Sequence, residues 1–270
     1  MSGASAPART VLVRGVGDVG SAVAHRLFGA GYAVAIHDDT RPATTRRTMA
    51  FTDAVFDGQV CLAGVTAARA DDLGRATAWL AARDRLPVLM SDFASALAAL
   101  TPAVLVDARM RKRAIPEAQR GLAPLTVGLG PNFVAGGNVD LAIETSWEAL
   151  GAIIRSGPTL PLVGEPRPLG GHSRARFVYA PHGGLFRTTR RIGEAVAAGE
   201  LVATIGDTPL VAPLGGTLRG LTHDGVAVVI GTKVIEVDPR GGPIAAGIGE
   251  RPGTIADGVL RAIAAWERAR

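Results

Sequence analysis

Residues 10–14 (TVLVR), 15–20 (GVGDVG) and 21–30 (SAVAHRLFGA) follow one another without a break, and they decide the fold. The first is a short β-branched run that predicts a buried strand. The last carries Val23, Ala24, Leu27 and Phe28 at helical spacing, and Gly31 ends the helix. Residues 32–37 (YAVAIH) predict a second strand closing on Asp38 and Asp39. Strand, G-x-G-x-x-G, helix, strand and acid is the order a dinucleotide site requires. Gly15 allows the tight turn, Gly17 lets the backbone approach a pyrophosphate, and Gly20 lets helix and strand pack closely. The helix N-terminus faces the phosphates with its unpaired N–H groups. Asp38 lies 21 residues beyond Gly17, where a carboxylate takes ribose hydroxyls. Asp18 is unusual there, because it repels a pyrophosphate unless it caps the helix or meets a cation. Arg41, Arg46 and Arg47 are placed for a 2′-phosphate or another anion, which leaves NAD and NADP both open.

The α/β pattern continues. Residues 71–82 predict a helix, 87–90 (PVLM) a strand, and Ser91 with Asp92 a cap for a helix over 93–100. Residues 103–106 (AVLV), 125–129 and 141–143 are further apolar strands, the first leading into Asp107 and the last into Glu144. Ligands of open α/β sheets sit beyond strand C-terminal ends. We therefore take Asp107, Arg109 and Lys112 as the candidate catalytic group. The candidate cofactor ligands are Gly15, Gly17, Asp18, Gly20, Asp38, Arg46, Arg47, Gly128, Gly130, Asn132 and Glu144, with the 128–132 loop donating backbone N–H groups. The competing reading makes these residues caps, ion pairs and packing glycines.

At 270 residues the chain has room for one large domain or two smaller ones. No apolar segment follows Met1 to Arg9 as a signal peptide requires. The longest uncharged run, 121–139, holds five Gly, two Pro and two Asn, so its backbone is unsatisfiable in lipid. A single cysteine, Cys61, excludes an intramolecular disulfide and fits a reducing compartment; its Val-Cys-Leu setting predicts a buried, inert thiol. A cytoplasmic protein without membrane contact is expected. The five histidines show no metal-ligand spacing, so each is expected to be structural and no metal is assigned. Net charge is +5, but the basic residues are scattered and aromatics are 4%, which argues against nucleic acid. Only two of the 29 basic residues are lysines, Lys112 and Lys233, which makes both candidates for a specific task.

Further on, residues 180–205 repeat without gaps as 212–237, identical at ten of 26 positions. Each half reads A-P-x-G-G, a short strand, G-x-A-V-x-x-G and another strand. Short strands paired through glycine turns, twice over, predict a barrel-sandwich hybrid, the architecture of biotinyl and lipoyl carrier domains. Carriers hold their modified lysine on the hairpin between halves. Here that hairpin is 204–209 (TIGDTP) and has none, so no covalent biotin or lipoate is expected and the module is read as a docking or lid element. The fold class is thus α/β: a Rossmann-like parallel-sheet domain over 8–165, the all-β module over 170–242, and a tail over 243–270. In that tail an amphipathic helix bears Ile255, Val259, Leu260, Ile263 and Trp266 on one side and packs back on the body.

Several segments together resemble the accessory proteins of selenium-dependent molybdenum hydroxylase systems (YqeB-like). They are VRGVGD at 13–18 with AHRL at 24–27, RRTMAFTDAVFDG at 46–58, VDARMRK at 106–112, VGLGPNFVAG at 127–136, AIET at 142–145, LRGLTHDG at 218–225 and GTKVIEVDPRG at 231–241. The resemblance implies a cytosolic factor supporting assembly or activation of a molybdenum hydroxylase. The xanthine dehydrogenase accessory proteins, which also use a Rossmann domain, are an analogous case. After AIET the family continues with an Arg-Gly-His segment, whereas Ser146, Trp147, Glu148 and Ala149 stand here.

Three functions follow, in this order. The first is a maturation factor that holds an anionic pterin (molybdopterin-type) or nucleotide cofactor and presents it to a client molybdenum hydroxylase. In it Arg109, Arg111 and Lys112 grip phosphate and the β module docks the client. The second is an NAD(P)-dependent oxidoreductase with Lys112 as its proton donor. The third is a structural binding module with a vestigial nucleotide site. The oligomeric state is open, a homodimer being one choice.

Overall fold

The computed structural model describes residues 9–111, 114–162, 166–243 and 246–270. Its first strand, β1 (Thr10–Arg14), lies in the middle of a nine-stranded sheet. In chain order follow α1 (Asp18–Gly29), β2 (Ala33–His37), α2 (Asp53–Asp57), β3 (Gln59–Leu62), β4 (Val65–Arg69), α3 (Leu73–Ala82), β5 (Leu86–Leu89), α4 (Phe93–Leu100) and β6 (Val104–Asp107). Then come β7 (Leu125–Leu129), β8 (Val134–Ala135), β9 (Leu141–Ile143), β10 (Ile153–Ile154) and β11 (Gly157–Pro158). The sheet order is β10-β9-β7-β6-β1-β2-β5-β4-β3, parallel from β9 to β4, with antiparallel β10 and β3 at the edges. The order of strands reverses at β1, which pairs with both β2 and β6.

Near-continuous apolar strands form here because both faces are covered. Val11, Val13, Val34, Ile36, Val104 and Val106 pack under α1 and the C-terminal helix. Leu12, Ala33, Ala35, Leu89 and Leu105 face the other way, against Ala76, Leu80, Ala96 and Leu100 of α3 and α4. Burying each of the larger side chains stabilises the fold by about 1.5–3 kcal/mol. Asp72 and Asp92 cap α3 and α4 by accepting from the N–H groups of Arg75 and Ser95, each cap contributing about 1 kcal/mol. Helix α1 differs: its N-cap is Gly17, which offers no side chain.

The β3–β4 hairpin carries one correction. Cys61 is exposed, not buried, because β3 is an edge strand and its outward face is uncovered.

The second half forms β12 (Phe177–Tyr179), β13 (Gly184–Arg187), β14 (Ala195–Val196), β15 (Leu201–Ile205), β16 (Thr208–Val211), β17 (Gly216–Leu221), β18 (Ala227–Val228) and β19 (Lys233–Asp238). They make two four-stranded antiparallel sheets, β12-β19-β17-β14 and β16-β15-β13-β18. Displacement by one repeat turns the first sheet into the second, and each sheet takes strands from both copies. The halves therefore share one core, with Phe186, Val202 and Ile205 against Leu218, Val234 and Val237. Gly184 and Gly216 hold the same φ of +156°, and a Cβ at Gly216 would lie 2.2 Å from the Asp238 carbonyl oxygen.

This module rests on the 41–56 loop of the larger body. Leu221 N–H donates to Thr45 O at 2.8 Å, Arg47 Nε to Leu221 O at 2.9 Å, and His223 stacks on Phe56 with ring centroids 4.0 Å apart. The last helix, α5 (Glu250–Arg268), returns to the sheet and buries Ile255, Val259 and Ile263 against α1, with Leu260 and Trp266 partly buried. Among the described residues no helix is long and apolar enough to cross a membrane.

Candidate functional site

The glycine turn is held from behind by hydrogen bonds. Val16 N–H donates to Asp38 Oδ2 at 2.6 Å and Asp39 N–H to Asp38 Oδ1 at 2.7 Å. Ser21 and Thr52 hydroxyls donate to Val16 O. Asp38, expected to meet a ribose, thus has the turn itself as its partner, and burial raises its pKa. The three glycines then separate by what surrounds them. Gly15 has φ +111°, and a Cβ there would lie 2.8 Å from Ala108 O. At Gly20 a Cβ would lie 1.9 Å from Gly15 O. Gly17 has an ordinary φ of −66°, and nothing approaches a Cβ closer than 3.9 Å. Packing requires Gly15 and Gly20 but not Gly17. The carboxylate of Asp18 accepts from Val19 N–H at 3.0 Å and meets Arg46 Nη1 at 3.3 Å, the cation its position demands.

Arg46 leads into a second group of charges on the β module. Glu236 is fully buried on β19, and four cations converge on it. Arg46 donates through Nε at 3.1 Å and Nη2 at 3.2 Å, Arg219 through Nη1 at 2.7 Å, and Lys233 through Nζ at 3.0 Å. Arg176 pairs with Glu236 as well. Burial alone would raise the Glu236 pKa, but Lys233 and Arg46 outweigh it and hold the carboxyl far below its usual range. Burial lowers Lys233, and burial followed by the nearby Arg46 lowers Arg219. Arg176 and Lys233 lie over the Phe177 ring, 4.2 and 4.6 Å from its centroid. Arg47, expected beside Arg46 as an anion ligand, instead ties Asp53 at 2.7 Å to Leu221 O.

The candidate catalytic residues form a separate network at the end of β6. Arg109 Nε reaches both oxygens of Asp107, at 3.0 and 3.1 Å, and its Nη2 donates to Glu117 at 2.7 Å. Arg14 donates to the same Glu117 oxygen at 2.7 Å and stacks over Phe93, and Gln119 donates to Asp107. Asp107, Gln119 and Arg14 are buried. Burial would raise the Glu117 pKa, but its own backbone N–H, followed by Arg109 and Arg14, outweighs it and holds the carboxyl at about 2. The space enclosed against Asp107, Arg109 and Phe133 amounts to about 10 Å³, room for at most about one water. These charges are partners of one another, not solvated groups facing a crevice as their place after β6 suggested. Lys112 lies outside the described residues.

The third group, at the ends of β7 and β9, is likewise engaged. A Cβ at Gly128 would fall 2.2 Å from the Phe133 ring, and Gly130 (φ +93°) gives its N–H to Ile143 O. The expectation that this loop offers free N–H donors does not hold at Gly130. Asn132, at φ +73°, donates to Ala114 O. Glu144 is buried and accepts from the N–H groups of Thr145, Ser146 and Leu160. Its neighbour Arg251 of α5 donates to Thr145 O and lies within electrostatic reach of Asp18, Arg46 and Glu144.

His25, His37 and His182 meet the oxygens of Ala63, Ser91 and Thr208, and the described residues hold no His, Cys, Asp or Glu group able to bind a metal. Sequence reading missed Glu236, Arg219, Arg176 and Arg251. One signal was present: a glutamate inside the apolar strand VIEV at 234–237 must be neutral or paired.

No family model matches the chain. It is similar to the uncharacterized protein YqeB of Escherichia coli (strain K12), 38% identical over 257 residues that make up 94% of this chain and 47% of that protein. The chain thus spans about half the length of this curated relative. Among solved structures, a succinylglutamate desuccinylase/aspartoacylase from Rhodobacter sphaeroides is 21% identical over 50% of this chain and 58% of its own, at a TM-score of 0.22. The product-bound ectoine utilization protein EutE (DoeB) from Ruegeria pomeroyi is 15% identical over 86% of each chain, at a TM-score of 0.25. Likeness that low carries no argument about fold or activity.

Proposed function

We propose that the chain is an accessory factor of a molybdenum hydroxylase that holds an anionic cofactor, a nucleotide or molybdopterin-type pterin, over the glycine turn. The larger body is then a Rossmann-type domain, a reading supported by the parallel order β5-β2-β1-β6-β7-β9 and its reversal at β1. The module, with its interlocked halves, is a barrel-sandwich hybrid that closes over the site and docks the client. One observation carries the ligand: Gly17 stands beside the uncapped start of α1 with nothing closer to a Cβ than Thr44 Oγ1 at 3.9 Å, so packing gives it no reason to be glycine. A valine there fills the path by which a phosphate reaches the helix N-terminus. The accessory role rests on the segment resemblance and on similarity to a relative whose name records no activity.

Calorimetry with NAD, NADP, ATP and CTP tests the ligand. Binding of one of them by the wild type and its loss in Gly17→Val is the expected outcome; equal binding by both proteins removes the site. Reconstitution of a molybdenum hydroxylase with and without the protein tests the role. Cofactor-dependent turnover by the protein alone would make it an NAD(P)-dependent oxidoreductase.

A further inference from the structure

The charges around Glu236 do not balance. Among the described residues, Arg46, Arg176, Arg219 and Lys233 form ion pairs with Glu236 and, through Arg46, with Asp18, a surplus of two positive charges; Asp238, within electrostatic reach of Arg219, is paired with Arg240. The floor is dry: Glu236 is fully buried and the Arg176 side chain is 4% exposed. The rim is open, with Asp18, Arg46 and Lys233 each about a quarter exposed. The Nε atoms of Arg176 and Arg219 are buried donors without an acceptor. A low-dielectric floor magnifies repulsion among like charges and makes unpaired donors costly. A latch between the body and the module would need no more cations than carboxylates.

We propose that this face of the module is a second anion site, which takes a doubly charged tetrahedral oxyanion: the phosphoryl end of a ligand whose other end lies over Gly17. A dianion cancels the surplus, whereas a single carboxylate leaves half of it. Guanidinium forks from Arg46 and Arg219 with the point charge of Lys233 suit three phosphoryl oxygens. Asp18, touching Arg46 at 3.3 Å, joins this site to the glycine turn. The inference rests on the glycine-turn reading only for the identity of the remainder of the ligand.

Calorimetry of the full chain with inorganic pyrophosphate, at fixed ionic strength in chloride with acetate as the monoanion control, tests it. Saturable binding of pyrophosphate and none of acetate is expected. Lys233→Gln should weaken pyrophosphate binding by about tenfold or more, and Lys233→Arg should stay within about threefold of wild type. In Gly17→Val, where the glycine turn is closed to phosphate, pyrophosphate should still bind and Lys233→Gln should still weaken it. Arg46→Gln, on a different element, should lose the pyrophosphate-dependent rise in Tm and serves if Lys233→Gln does not fold. Absence of pyrophosphate binding, or equal binding by wild type and the glutamine variants, overturns the site. Loss of nucleotide binding in Gly17→Val with lysine-independent pyrophosphate binding would leave the glycine-turn reading standing and remove this one. Lysine-dependent pyrophosphate binding without any nucleotide binding would do the reverse.

Discussion

Two networks of arginines and carboxylates differ in their balance of charge. At the end of β6, Arg14 and Arg109 face Asp107 and Glu117, so charge is matched and Gln119 is bonded, although Arg14 Nε is a buried donor without an acceptor. Around Glu236, four cations face two carboxylates, and two guanidinium Nε atoms lack acceptors. Both are partly buried; the first stands beyond the end of β6, whereas the second lies on β17 and β19 of the module and meets the body through Asp18 and Arg46. A matched network spends its groups on itself and fixes structure. An unmatched one keeps charge in reserve for something that binds. The balance of charge separates the two cases.

The largest effect should come from breaking the matched network. Asp107→Ala leaves Arg109 without its bidentate partner and Arg14 beside it, both poorly solvated. Removing one partner of a buried pair costs about 3–5 kcal/mol, to be read from urea unfolding of wild type and variant. A loss under about 1 kcal/mol would mean that the group is solvated, and the contrast between the two networks would collapse.

That result bears on how much the sequence discloses. The elements around the glycine turn were legible because periodicity and capping residues are local: Asp92 caps α4 where its position predicts. The repeat was legible because it has no gaps, and its copies do pair as equivalent strands. The β3–β4 hairpin was not, since four residues around Cys61 carry little pattern. Nor were the partners of Asp107, because Arg14, Glu117 and Gln119 come from distant positions. The Glu236 group draws on positions 18, 46, 176, 219, 233 and 236, a set without spacing of its own. Asp18 and Arg46 stood out through the glycine turn and Lys233 through its scarcity, but nothing in their spacing joined them to Arg176, Arg219 and Glu236.

Next in size is the division among glycines, which tests whether the unmatched region is open to a ligand. In Gly20→Ala the new Cβ meets the Gly15 carbonyl at 1.9 Å, so helix α1 must shift, at a cost of about 1–3 kcal/mol. Gly17→Ala comes no closer to a neighbour than 3.9 Å from Thr44 Oγ1 and should change stability by less than about 1 kcal/mol. Equal melting temperatures for the two alanine variants would show that the turn is not packed as described.

Acid separates the networks more gently. The folded-state pKa values of Glu236 and Glu117 lie below the usual 4.5, Glu117 at about 2. A depressed carboxylate contributes stability above its unfolded pKa and loses it as pH falls through the folded one. Stability should therefore decline below pH 4.5, at up to about 1.4 kcal/mol per pH unit for a fully coupled group. Glu117 is half exposed and contributes a fraction of that. In Glu117→Gln the acid limb should keep most of its slope, whereas Glu236→Gln should flatten it. An unchanged limb in Glu236→Gln would mean that its carboxyl is not held by the cations around it.

The smallest effect is the most diagnostic. Lys233→Gln removes one cation from Glu236 but leaves Arg46, Arg176 and Arg219 on it, so the buried carboxylate stays compensated. It also removes repulsion toward those arginines and a partly buried ammonium whose pKa desolvation has already lowered. These opposing terms should leave stability within about 1 kcal/mol of wild type, against the several kcal/mol expected for Asp107→Ala. Urea unfolding at low and high salt distinguishes the two readings of the group. If Lys233 belongs to a surplus, wild type should gain stability on raising ionic strength more than Lys233→Gln does, because screening relieves repulsion only where it exists. If Lys233 is a needed member of a latch, its loss should instead cost as much as that of any matched pair, and salt should not narrow the difference.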